Sequence, residues 1–125
     1  IAVDIRTPSS MLHEMAHAFD FGNGLLSLQP GFGAVRDAFQ AGASPFAMEA
    51  SDSEWKYAHV PTEVFARSWE VYAAMRGIGG SFAKALPDLT KGANHWMYEP
   101  LIENKALVCE YFDALIVDRG ILAVA

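Results

Sequence analysis

The sequence predicts a mainly α fold, α+β at most, and three observations support this prediction. Apolar residues recur at helical spacing in several stretches, and segments rich in Gly or Pro separate these stretches. The 125 residues, 52% of them hydrophobic, are the right size for one domain with a sizeable core. We expect residues 1–125 to form a single domain and to be a fragment of a longer polypeptide, because the chain does not begin with Met and ends on an apolar run.

Charge and composition argue against several classes of partner. The net charge of -6 provides no basic surface for nucleic acid or for an anionic membrane. No apolar run reaches the roughly 18 residues that a membrane span needs. Cys109 is the only cysteine, which excludes an intrachain disulfide and a thiolate metal site, so we expect it to fill the core. We predict a soluble protein with no nucleic-acid or membrane partner.

The first helix is predicted from its boundaries. Residues 1–6 alternate apolar and polar side chains, which is typical of a half-buried edge strand but equally compatible with a plain lead-in segment. Residues 7–10, Thr-Pro-Ser-Ser, are typical of a helix start, and the Gly-Asn-Gly of residues 22–24 ends the helix. Apolar side chains lie around this helix, so we expect it to be largely buried; they are Leu12, Met15, Ala16 and Phe19.

This helix carries a His-Glu-x-x-His motif. Residues four apart lie on one helix face, so the imidazoles of His13 and His17 can converge on one zinc ion. Glu14 lies beside them, where its carboxylate can take a proton from a zinc-bound water. Asp20 follows on the adjoining face. Either it hydrogen-bonds a ligand imidazole, or it is a surface carboxylate near a helix end.

Further elements follow in order. A second helix is predicted through Phe32, Val35, Arg36 and Phe39 to the Gly42 breaker, and residues 43–60 are predicted to be a loop. A third helix spans residues 61–75. A short helix is predicted over residues 81–86, before Pro87, and then a polar loop over residues 88–94. The aromatic-rich residues 95–100 form either a substrate wall or a core plug, and a final helix over residues 102–117 is expected to brace the two metal-bearing helices.

The third metal ligand should lie on the helix over residues 61–75. Glu63 and Glu70 are two turns apart on one face with Arg67 between them, so spacing alone does not choose between them. The alternative is an exposed Glu–Arg–Glu ladder. Its weakness is that the many apolar residues of this helix leave little of its surface for solvent.

Two sequence segments together resemble a known family. Residues 13–20, His-Glu-Met-Ala-His-Ala-Phe-Asp, are followed by Tyr57 and by residues 62–70, Thr-Glu-Val-Phe-Ala-Arg-Ser-Trp-Glu. This pattern resembles the gluzincin metallopeptidases, as found in the catalytic domain of anthrax lethal factor and in metallopeptidase-type domains of large polyvalent proteins of phages and mobile elements. The resemblance implies that Glu63 is the third zinc ligand and that Tyr57 hydrogen-bonds the oxyanion.

The expected function is therefore zinc-dependent hydrolysis of peptide bonds, with a peptide or protein substrate and Zn²⁺ as cofactor. His59 competes with Tyr57 as the transition-state donor or even as a ligand, and Arg67 is expected to orient Glu63, Glu70 or Asp20. One alternative is a catalytically inactive zinc-binding or structural domain that contacts other domains of a phage or mobile-element protein, in the host cytoplasm or the virion. The other is a metal-free helical interaction module.

Overall fold

A computed structural model of the protein describes residues 8–79, 85–92 and 94–118. Within these ranges every regular element is helical and no strand occurs, so the mainly α prediction is confirmed. The expected edge strand over residues 1–6 lies outside the described residues. The helices are α1 (Pro8–Gly22), α2 (Gly33–Ala43), α3 (Asp52–Ala58), α4 (Pro61–Arg76), α5 (Leu86–Leu89), α6 (Glu99–Glu103) and α7 (Lys105–Asp118).

The boundaries of α1, α2 and α4 follow the sequence signals closely. α4 begins with Pro61, whose missing N–H costs nothing in the first turn of a helix. It ends at Gly77, which has a φ of 69° and so occupies the left-handed region that favours glycine. Among the described residues no helix is long and apolar enough to cross a bilayer.

The prediction of a loop over residues 43–60 is wrong in part, because α3 lies inside that segment. Ser51 caps α3: its Oγ accepts a hydrogen bond from the Glu54 backbone N–H at 3.2 Å. The Glu54 carboxylate in turn accepts one from the Ser51 N–H at 3.0 Å. These two reciprocal hydrogen bonds form a capping box, which satisfies the backbone N–H groups of Ser51 and Glu54 at the start of α3. Its Ser-x-x-Glu pattern is visible in the sequence.

The last third of the chain also departs from the prediction. Residues 81–84 of the expected short helix lie outside the described residues, and α5 begins at Leu86 and contains Pro87 in its first turn. The single helix predicted over residues 102–117 is two helices, α6 and α7, that meet at Asn104. Asn104 Nδ2 donates to the Pro100 carbonyl at 2.7 Å, which satisfies a terminal carbonyl of α6 and ends the helix there.

The core lies between α1, α2, α4 and α7. α1 packs on α4 more extensively than any other pair of elements described, while α7 packs on α4 and α2 and makes little contact with α1 among the described residues. The helix expected to brace both α1 and α4 therefore packs mainly on α4. Rings in edge-to-face and tilted contacts fill the α4–α7 interface; they are Phe32, Phe65, Trp69, Tyr72, Tyr111 and Phe112.

α1 is buried on one face only, so the expectation of a largely buried helix is too strong. Leu12 and Ala16 are buried, whereas Met15 is 54% exposed and Phe19 is partly buried. Cys109 is buried on α7, as predicted.

Candidate metal centre

α1 turns its buried face toward α4 and presents two imidazoles there. His13 and His17 lie one helical turn apart, and their ring centroids are separated by 4.8 Å with an interplanar angle of 72°. The spacing of four residues places both side chains at the α1–α4 interface.

Glu63, in the first turn of α4, contacts both histidines through its carboxylate. Its Oε2 lies 2.9 Å from His13 Nε2, and its Oε1 lies 3.1 Å from His17 Nε2. One ligand atom from each of the three residues lies within 4.8 Å of the others. The structure therefore brings His13, His17 and Glu63 together, although Glu63 lies 46 positions after His17 in the sequence.

Glu70 lies behind His13 rather than beside His17. Its Oε2 accepts a hydrogen bond from His13 Nδ1 at 2.9 Å and a second one from the Tyr98 hydroxyl at 2.7 Å. Glu70 is 5% exposed and Arg67 2%. An exposed Glu–Arg–Glu ladder is therefore ruled out, and the two glutamates differ in which imidazole nitrogens they face.

The electrostatics of the cluster follow from these contacts. Burial by itself would lower the pKa of His13, but its hydrogen bonds to Glu63 and Glu70 and the negative charges of both carboxylates raise this pKa to about 9. Burial would raise the pKa of Glu63, yet the hydrogen bond and charge of His13 and the hydrogen bond from Tyr57 lower it to about 2. Without a metal ion, His13 and Glu63 form an ion pair at neutral pH.

Tyr57, on the last turns of α3, also reaches this carboxylate. Its hydroxyl donates a hydrogen bond to Glu63 Oε2 at 2.9 Å while the residue remains 50% exposed. Burial of the hydroxyl, followed by its hydrogen bond to Glu63, raises the pKa of Tyr57 to about 12. The phenol is thus a protonated donor near neutral pH, next to the metal-ligand candidates and open to solvent.

His59 does not join the cluster. Its Nδ1 donates to the Trp55 carbonyl at 2.8 Å. Its ring packs against those of Trp55 and Phe39, with centroid separations of 4.4 and 5.2 Å. The Nε2 atom is buried and has no hydrogen-bond partner among the described residues. His59 therefore packs against aromatic rings at the C-terminal end of α3. Its position does not support the alternative that it is a metal ligand or the transition-state donor.

The Arg67 guanidinium hydrogen-bonds a backbone carbonyl, that of Ala58 next to Tyr57, and not a carboxylate. Its Nη2 donates to the Ala58 carbonyl, and its guanidinium lies 5.4 Å from the centre of the Phe39 ring. Burial lowers the pKa of Arg67, against the opposing charges of groups that include Glu63 and Glu70. The expected hydrogen-bonding role toward Glu63, Glu70 or Asp20 is not observed. Arg67 instead fixes the C-terminal end of α3.

Asp20 matches neither of its two predicted roles. It is fully buried, and its Oδ1 accepts a hydrogen bond from the Ser27 backbone N–H at 2.8 Å. This bond joins the end of α1 to the turn Leu26–Leu28. The carboxylate thus stabilises the chain reversal after α1 and is not a partner of a ligand imidazole.

Glu14 lies next to His13 on α1 and is partly exposed. In the described part of the chain its carboxylate has no hydrogen-bond or ion-pair partner, but it is near enough to Tyr57 for its charge to raise the pKa of that phenol.

Tyr98 is the residue of this region that sequence reasoning missed. The aromatic segment 95–100 was open to two interpretations, and Trp96 and Met97 are indeed a core plug, 1% and 6% exposed. Nothing in the segment signals that the next residue hydrogen-bonds Glu70, because the contact joins residues 28 apart in the chain.

Comparisons with protein-family models, with curated proteins and with solved structures found no match to this chain.

The donor set fits a zinc ion. Two imidazole nitrogens and one carboxylate are a common ligand set of catalytic zinc, and three protein ligands leave a fourth position for water or substrate. Zinc–ligand bonds of about 2.0–2.2 Å in tetrahedral geometry put ligand atoms roughly 3.3 Å apart. The two nitrogen–oxygen separations here are 2.9 and 3.1 Å, each to a different oxygen of Glu63, and the three ligand atoms lie within 4.8 Å of one another.

Proposed function

We propose that this domain is a zinc-dependent peptidase. The observation that carries the proposal is the convergence of His13 Nε2, His17 Nε2 and the Glu63 carboxylate at the α1–α4 interface. A His-Glu-x-x-His pattern alone can occur by chance, and the carboxylate of Glu63 beside both imidazoles is a second observation that supports the proposal.

His13, His17 and Glu63 would hold the metal, which when bound lowers the pKa of a water molecule and polarises a substrate carbonyl. Glu14 is not one of the three ligands. Its partly exposed carboxylate, without a partner among the described side chains, is the general base. It takes a proton from the attacking water and passes it to the amine that leaves when the C–N bond breaks.

Tyr57 is the proposed oxyanion donor. Its hydroxyl donates to Glu63 Oε2 and so lies beside the proposed ligands, where it would donate to the carbonyl oxygen of a bound peptide. A donor aimed at developing negative charge stabilises the transition state more than the ground state. We expect Tyr57→Phe to retain zinc and to lower kcat by about 10²-fold or more.

Elemental analysis tests the metal site first. We expect one zinc per chain in the wild type, and loss or weakening of zinc binding in both His17→Ala and Glu63→Ala. His95→Ala is the matched control, because His95 pairs with Glu49 and Glu99 outside the cluster. A folded wild type that takes up no zinc would contradict the proposal and favour a metal-free helical module.

Glu14→Gln tests the chemistry. The amide keeps the shape of the side chain but does not accept the proton, so we expect zinc content to be unchanged and cleavage of a peptide library to fall by about 10²- to 10⁴-fold. Glu110→Gln, an exposed carboxylate on α7, is the control and should cleave normally. Full activity in Glu14→Gln would remove Glu14 as the base.

A second candidate is a catalytically inactive zinc-binding or structural domain. The favouring observation is that His13, Glu63, Glu70 and Tyr57 already satisfy one another through hydrogen bonds, and such a network also holds α1 on α4. This candidate predicts stoichiometric zinc, or none, and no cleavage of any library peptide.

A further inference from the structure

Tyr98 connects a distant part of the chain to the metal-ligand candidates. It lies between the turn His95–Met97 and α6 (Glu99–Glu103), and its hydroxyl donates to Glu70 Oε2 at 2.7 Å. Burial, followed by the charge of Glu70, raises the pKa of Tyr98 strongly, so the phenol keeps its proton. It is therefore a permanent donor to this carboxylate.

The same oxygen of Glu70 accepts the bond from His13. Glu70 Oε2 lies 2.9 Å from His13 Nδ1, and the other ring nitrogen, Nε2, is the one that faces Glu63. A proton held on Nδ1 by a carboxylate leaves the lone pair of a neutral imidazole on Nε2. The chain Tyr98–Glu70–His13 thus determines which nitrogen His13 offers to a metal.

The segment that carries Tyr98 is held firmly by its neighbours. Trp96, two residues earlier, is 1% exposed, and its ring stacks on that of Trp55 at 5.6 Å. Pro100, two residues later, is buried against α2, where an added Cβ at Gly42 would come within 2.6 Å of the proline Cβ. The residues on both sides of Tyr98 are therefore buried in the core, which fixes the position of its hydroxyl. The hydroxyl in turn restricts the Glu70 carboxylate, whose side chain has several rotatable bonds.

We propose that Tyr98 is a positioning residue of the metal centre, which acts through Glu70 to hold His13 with Nε2 directed at the metal. This inference rests on the proposed function, since it concerns the same site. It adds a third structural segment to a centre whose candidate ligands all come from α1 and α4. Tyr98 does not itself contact the metal-binding atoms in the structure.

The test compares Tyr98→Phe with Tyr72→Phe. Tyr72 is a matched control: its hydroxyl also donates to a carboxylate at 2.7 Å, that of Asp113, and it lies on α4 but outside the cluster. Zinc affinity is measured by competition with a chromophoric chelator, and folding by urea denaturation. We expect Tyr98→Phe to weaken zinc binding about 10- to 100-fold and Tyr72→Phe to change it less than twofold.

Two further readouts separate positioning from general stability. The Co²⁺-substituted protein reports ligand geometry through its visible absorption bands, which should change in Tyr98→Phe and stay unchanged in Tyr72→Phe. Glu70→Gln should weaken zinc binding as well, and the double variant with Tyr98→Phe should be little worse than Glu70→Gln alone, because both substitutions interrupt one chain of contacts.

The possible failures are distinguishable. If the wild type binds zinc and Tyr98→Phe binds it equally well with an unchanged Co²⁺ spectrum, this inference is overturned and the proposed function stands. Equal weakening by Tyr98→Phe and Tyr72→Phe also overturns it, because a lost phenol would then act only through stability. A wild type that binds no zinc overturns the proposed function together with this inference.

Discussion

Both ring nitrogens of His13 contact a carboxylate, and each contacts a different one. These contacts distinguish Glu63 from Glu70, which the sequence spacing alone leaves equivalent. Nε2 faces Glu63 and Nδ1 faces Glu70, each at 2.9 Å. The sequence predicts that both carboxylates share a face of α4, which is correct. Only the position of α1 relative to α4 decides which of them also reaches His17, because a helix face is wider than one side chain.

Asp20 provides a test at the scale of a single residue. In Asp20→Ala the buried Ser27 N–H loses its acceptor, so we expect the free energy of unfolding to fall by about 1–3 kcal/mol while zinc affinity stays unchanged. Urea denaturation and zinc titration measure the two effects. Asp37→Ala, an exposed carboxylate on α2, serves as the control and should change stability by about 0.5 kcal/mol or less. Loss of zinc at unchanged stability would restore the role beside a ligand imidazole.

At the scale of elements, α3 was missed although its start signal is present. Ser51 and Glu54 form a capping box, but the apolar residues of α3 are too few for a helical stripe, so the periodicity on which the other helices were predicted is absent. The break between α6 and α7 was missed for the opposite reason. Apolar spacing continues across Asn104, and a side-chain bond to Pro100 ends the helix without a Gly or Pro at that position.

The close approach of α2 and α6 carries a prediction at this scale. A Cβ added at Gly42 would lie 2.6 Å from the Pro100 Cβ, so the two helices must separate in Gly42→Ala. We expect this overpacking to lower the free energy of unfolding by about 1–3 kcal/mol.

Gly33→Ala is the matched control for Gly42→Ala. Gly33 begins the same helix with a φ of -57°, and an added Cβ there meets no atom within 4 Å. Reduced freedom of the unfolded chain should make Gly33→Ala stabilising by about 0.4–1 kcal/mol. Urea denaturation of both variants checks the contrast, and stabilisation by Gly42→Ala would mean that α2 and α6 are farther apart than described.

For the whole molecule, a metal at this centre would join α1 to α4 across the main packing interface. Zinc that binds only the folded state should raise the free energy of unfolding by about 2.7 kcal/mol when free zinc is 100 times its Kd. His17→Ala should abolish this increment, and His95→Ala should keep it. Urea denaturation with zinc and with excess chelator measures the difference. Identical curves for the wild type in both conditions would argue for a metal-free domain.

The sequence by itself determined the mainly α class, the limits of α1, α2 and α4, and the candidates His13, Glu14 and His17. These predictions depend on local chemistry: apolar periodicity, end signals and a spacing of four residues on one helix. Spacing leaves Glu63 and Glu70 equivalent, and the resemblance selects Glu63 and adds Tyr57. In the structure Glu63 contacts both imidazoles, and Tyr57 hydrogen-bonds Glu63.

Only the tertiary structure decided how the remaining polar residues are used. Arg67 bonds the Ala58 carbonyl, Asp20 holds a turn, and Tyr98 reaches Glu70 from a segment 28 residues away. Each of these side chains is buried or partly buried and must find a hydrogen-bond partner, but any nearby carbonyl, amide or carboxylate can meet that need. Which one does so depends on how the helices pack, and no local pattern in the chain encodes that choice.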